Sequence, residues 1–84
     1  MTRPEQAQTF PITVTAIMRS RDFAAGVADV RAGRTPRFDA VFADSWNYER
    51  GRQWAVAAPK TMPVKIGRAI NPAAIAIFET AKIP

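Results

Sequence analysis

Eighty-four residues make one small domain with a modest core, and the composition removes several function classes at once. Cysteine is absent, so there is no disulfide, thiolate ligand or cysteine nucleophile; histidine is absent too, which takes away the commonest general base and the commonest transition-metal ligand. Twelve basic residues, nine of them arginine, stand against seven acidic ones for a net charge of +5, and arginine suits planar, bidentate contacts to phosphate or carboxylate.

The chain opens with a polar stretch, residues 1–8, expected to be a flexible tail ahead of a single domain over 9–84. No apolar run of signal-peptide or membrane-span length occurs, so the expected setting is the cytoplasm, with no membrane partner. From Thr9 the pattern alternates. Phe10, Ile12, Val14, Ala16 and Met18 fall on one side and Thr9, Pro11, Thr13 and Thr15 on the other, which predicts a half-buried strand with Pro11 at its start or edge.

A helix follows. Ser20 is its N-cap and Asp22 sits in the first turn, where a carboxylate suits the positive end of the dipole. Phe23, Gly26, Val27 and Val30 share one face, Arg31 lies in the last turn, Gly33 takes the left-handed position after the helix end, and Pro36 prevents resumption. The segment from Arg34 to Ala43 carries Phe38, Val41 and Phe42 and is expected to fold back over the helices, with Asp39 capping a short turn.

A second helix is expected from Asp44 or Ser45 to before Pro59. Asn47, Gly51, Trp54, Ala55 and Ala58 lie on its inner side, Tyr48 at the edge of that side, and Glu49, Arg52 and Gln53 outside. A mid-helix glycine costs ~1 kcal/mol relative to alanine. Close backbone approach offsets that cost, so Gly26 and Gly51 are predicted to form a tight crossing of the two helices, with Phe23 and Trp54 packed beside it. Beyond Pro59, Met62, Val64 and Ile66 alternate with Pro63, Lys65 and Gly67, which predicts a second short strand paired with the first. Asn71 as N-cap, Pro72 at N1 and the Ile70–Ile75 staple open a last helix whose Ala74, Ile77, Phe78 and Ala81 share a face. The expected class is α+β: a glycine-packed helix pair, a two-stranded antiparallel ribbon and a C-terminal helix.

The charge excess is concentrated in the middle of the chain, where eight basic residues between Arg31 and Arg68 face Asp39, Asp44 and Glu49. Two readings follow. In one, Arg31, Arg34 and Arg37 at the turn, Arg50 and Arg52 on the second helix, and Lys60, Lys65 and Arg68 beyond it contact phosphates, with Trp46 and Tyr48 available to stack on bases. In the other, the arginines form a solvated face with local ion pairs to Asp29, Asp39 and Glu49, and Trp54 belongs to the core. Asp22 and Asp29 read as caps and surface charges. Ser20 and Ser45 read as caps without a neighbouring base, and Gly33-Arg34 and Gly67-Arg68 lack the lysine and hydroxyl of a phosphate loop. No catalytic, cofactor or metal site is expected.

The run Phe23-Ala24-Ala25-Gly26, the turn Gly33-Arg34 with its proline, and the aromatic helix carrying Trp46, Tyr48, Gly51, Trp54 and Ala55 together resemble the layout of ribosome modulation factor and its small bacterial and phage relatives. The resemblance covers roughly half of the chain; Arg37-Phe38-Asp39 stands where those relatives carry Asn/Cys-Pro-Tyr. It implies two short helices packed through glycines and a basic protein that binds RNA or the small ribosomal subunit and acts by occupancy. The stretch from Tyr48 to Ala55 also resembles small proteins of proteobacteria and their phages. That leaves a second expectation, a phage or mobile-element inhibitor of a host protein such as a defence nuclease. A homodimer is a third, since so small a core gains stability by self-association.

Overall fold

The computed structural model describes residues 13–37 and 45–84. Within them the order is helix α1 (Val14–Arg19), helix α2 (Arg21–Arg31), helix α3 (Ser45–Ala57), strands β1 (Lys65–Ile66) and β2 (Ala69–Ile70), and helix α4 (Pro72–Thr80). The α+β class holds, with the helix pair, an antiparallel ribbon and the C-terminal helix all present.

The first expected strand is a correction. Residues 9–12 lie outside the described residues, and 14–19 form a helix. Thr13 caps it, its hydroxyl accepting the Ala16 N–H at 3.1 Å, and the helix buries Ile17 and Met18. Val14, Ile17 and Met18 satisfy a helical i, i+3, i+4 spacing as well as they satisfy alternation, and so short an apolar run does not distinguish the two. Tertiary burial decided between them. Ser20 then serves both helices. Its N–H donates to the Ile17 carbonyl at 3.1 Å, closing α1, while its hydroxyl accepts the Phe23 N–H at 3.1 Å, opening α2.

Helices α2 and α3 form the centre of the fold, and they cross at their glycines as the sequence predicts. A Cβ on Gly26 would overlap the Tyr48 carbonyl oxygen and lie 2.8 Å from the Arg52 amide nitrogen. A Cβ on Gly51 would overlap the Phe23 carbonyl oxygen and lie 2.9 Å from its carbonyl carbon. Each glycine therefore sits against the other helix's backbone. The Phe23 and Trp54 rings pack beside the crossing with centroids 6.1 Å apart, and Phe78 of α4 packs on Phe23 at 6.2 Å. The Trp54 Nε1–H donates to the Ala74 carbonyl at 2.9 Å, which ties α4 to the pair and satisfies a buried donor.

The second expected strand survives only in part, and its partner differs. Lys65 and Ile66 pair with Ile70 and Ala69 across a two-residue turn at Gly67-Arg68, so the ribbon is a local hairpin. Gly67 has φ +63° and Arg68 does not have positive φ, the sign pattern of a type II′ turn. The hairpin leads directly into Asn71, whose N–H donates to the Val64 carbonyl at 2.9 Å and whose side chain accepts the Ala73 N–H at 3.0 Å as the cap of α4. Ile70 and Ile75 join the core on either side of that cap. Asp44 and the segment with Phe38, Asp39, Val41 and Phe42 lie outside the described residues.

Candidate nucleic-acid interface

The end of α2 sets the geometry of the site. Gly33 has φ +72°, its N–H donates to the Val30 carbonyl at 3.0 Å, and the Arg34 N–H donates to the Asp29 carbonyl at 2.8 Å. This is a Schellman termination. It reverses the chain so that Arg34 and Arg37 come back alongside the last turn of α2, where Asp29 projects.

Asp29 was expected on the surface; the structure buries it completely. It lies one turn from Gly26, on the side of α2 that α3 covers. Its carboxylate accepts the Tyr48 hydroxyl at 2.6 Å and the Arg37 Nε–H at 2.8 Å on Oδ2, and the Arg34 Nε–H at 2.8 Å on Oδ1. The Tyr48 oxygen in turn accepts the Arg37 backbone N–H at 3.0 Å. Hydrogen bonds from Tyr48, then Arg37, then Arg34 hold the Asp29 carboxyl well below the usual carboxylate range and outweigh the desolvation that opposes them. The Asp29 hydrogen bond correspondingly raises Arg37. One buried carboxylate thus fixes two guanidiniums whose side chains stay about half exposed, 53% for Arg34 and 47% for Arg37.

The other candidates divide. Tyr48 is buried against Asp29 and offers no ring face for stacking, a correction to its expected role. Arg31 is a structural tie. It donates to the Pro59 and Met62 carbonyls at 3.3 and 2.6 Å, and its guanidinium carbon lies 5.3 Å from the Trp54 ring centroid. Trp46 is 62% exposed, with the Arg50 guanidinium carbon 5.9 Å from its ring centroid. Arg50 also donates to the Asn47 side chain at 2.7 Å and the Pro84 carbonyl at 2.6 Å. Arg52 pairs with Glu49 at 3.0 Å and is mostly buried, so it points outward less than expected; its Nε is buried without a hydrogen-bond partner. Lys60 and Gly33 both line one cleft, while Lys65 and Arg68 belong to the hairpin, where the Arg68 carbonyl accepts an Arg19 guanidinium N–H at 3.4 Å.

The sequence reading named Arg34 and Arg37 as candidates and missed the carboxylate that joins them. The i, i+3 relation of Gly26 and Asp29 was a visible signal, because it puts Asp29 toward the packed side of α2. That Tyr48 would meet it from α3 depends on the crossing angle. Among the described residues, no group of three or more His, Cys, Asp or Glu side chains could hold a metal, and no helix is long and apolar enough to cross a membrane. No protein-family model, curated protein or solved structure matches the chain, so the resemblance to ribosome modulation factor rests on its central residues alone.

Proposed function

We propose that this is a small basic cytoplasmic protein that binds RNA, in the setting of a ribosomal subunit, and acts by occupying its site without chemistry. The observation that carries this reading is the Arg34–Arg37 pair held on buried Asp29. A free arginine surrenders side-chain entropy when it grips a phosphate, about 0.5–1.5 kcal/mol for each immobilised side chain. Here folding has already met much of that cost. Among the described residues the cluster sets two cations against one anion, and half-exposed guanidiniums suit phosphate oxygens. Lys60 near the same turn adds charge, and the resemblance of the Gly33-Arg34 turn to the ribosome-binding family points the same way.

The test is fluorescence anisotropy with a labelled 20-nucleotide single-stranded RNA of mixed sequence, titrated at several salt concentrations. Binding should weaken as salt rises, and Arg34→Ala should lower affinity and reduce the log–log salt slope by about 0.7, the value for one lost phosphate contact. Binding that ignores salt, or that Arg34→Ala leaves unchanged, overturns the reading. A density-gradient run of lysate gives the companion result. Migration with ribosomal particles that is lost at high salt supports the reading. A nuclease-resistant complex with one protein favours instead an inhibitor of a host protein, for which exposed Trp46 backed by Arg50 supplies an anchor of the kind that dominates protein interfaces.

A further inference from the structure

A groove of about 460 Å³ runs along the flank of α2 between the end of α1 and Val64-Lys65. Its floor is apolar, with Met18, Ala24, Ala28 and Val64 among the residues that form it, and Ala24 and Ala28 are exposed. Among the described residues its charged members are Arg19, Arg31 and Lys65, with no carboxylate in the lining. Two of these cations are fixed by neutral acceptors: Arg19 donates to the Arg68 carbonyl at 3.4 Å, and Arg31 to the Met62 carbonyl at 2.6 Å. The carbonyls, and for Arg31 the Trp54 ring, position these guanidiniums, and among the described residues neither forms an ion pair. Arg19 is the last residue of α1, just ahead of the Ser20 cap of α2, and Arg31 is the last residue of α2, so the two flank an eleven-residue helix, roughly 16 Å long at 1.5 Å per residue.

We propose that this groove binds a short acidic amphipathic helix of a partner protein. A compact monoanion would satisfy the cations at one end only. A three-turn helix places apolar anchors at i, i+4 and i+7 on the floor and carboxylates opposite both ends. An extended peptide is less suited, because such peptides draw affinity from main-chain bonds to a sheet edge and most of this groove is helix side chain. The site is separate from the Asp29 cluster, and the proposal stands or falls independently of RNA binding there.

The probe is a fluorescein-labelled, acetylated 14-residue peptide with leucine at the anchor positions and glutamate at the flanks, titrated with the full chain by anisotropy. A counterpart with lysine in place of every glutamate is the control. The glutamate peptide should bind, more weakly as salt rises, and the lysine peptide at least about tenfold less tightly. Ala28→Glu on the floor and Lys65→Glu on the rim should each weaken the glutamate peptide about tenfold, while Lys82→Glu, outside the groove, should not. Circular dichroism on each variant confirms folding. Equal binding of the two peptides, or insensitivity to both Ala28→Glu and Lys65→Glu in folded protein, overturns the proposal. It also falls if the peptide does not bind and the 20-nucleotide RNA binds in a manner that Ala28→Glu and Lys65→Glu abolish, since the groove would then belong to nucleic acid.

Discussion

Gly51→Ala places one methyl group where α3 meets α2. In an exposed helix the change would stabilise by about 1 kcal/mol, because alanine is the better helix former. Here the new Cβ would overlap the Phe23 carbonyl oxygen and lie 2.9 and 3.0 Å from the Phe23 carbonyl carbon and Cα. Carbon atoms pack best near 3.5–4.0 Å. The obstacles are backbone atoms inside a helix, with no side-chain rotation to relieve them, so the helices must separate by a substantial part of an ångström. Overpacking of this kind costs about 3 kcal/mol or somewhat more. Set against the propensity gain, the net destabilisation is about 2 kcal/mol or more, and a domain of this size loses ~4–8 °C for each kcal/mol. A thermal melt followed by circular dichroism should therefore fall by roughly 10 °C. Gly26→Ala should behave alike, and the double variant should cost less than the sum, since the first methyl already parts the helices. A Gly51→Ala protein that melts at or above the parent temperature would refute the close crossing.

Three further outcomes follow from the cluster at the end of α2. Gly33→Ala meets no steric neighbour within 4 Å but must hold φ near +72°, so it should cost about 1–2 kcal/mol in denaturant unfolding and loosen Arg34. Tyr48→Phe removes the hydroxyl shared by the Asp29 carboxylate and the Arg37 N–H, and should destabilise by about 1–3 kcal/mol with little change in helical circular dichroism; a loss below a few tenths would mean water replaces it. Because folding depresses the Asp29 pKa, its contribution to stability is complete above the ordinary aspartate value of about 3.9 and is lost as pH falls from there toward the depressed value. Acid titration of unfolding free energy should show that loss in the parent chain. Asp29→Asn should be less stable at pH 7 and flatter below pH 4, and an unchanged acid slope would contradict the assignment.

The local punctuation of this protein was written in its sequence. Ser20, Gly33, Asn71 and Pro72 terminate or begin helices by chemistry confined to a few neighbouring residues, and each does so as expected. The glycine crossing was legible for a related reason: Gly26 and Gly51 each weaken their own helix, and only a close neighbour makes such a choice favourable. Where local signals balanced, the tertiary structure decided. Residues 14–18 satisfy two periodicities, and only the apolar surface they meet selects the helix. Val64–Ile66 carried a strand signal without a partner's address; the two-residue turn at Gly67-Arg68 supplied the nearest edge, and a short loop closes at least entropic cost. The Asp29 cluster lay furthest from view. Its outermost members, Asp29 and Tyr48, are 19 positions apart, and each member alone resembles an ordinary surface or core residue. Their meeting depends on how closely two helices approach and at what angle, which is a property of packed backbones that no one segment contains.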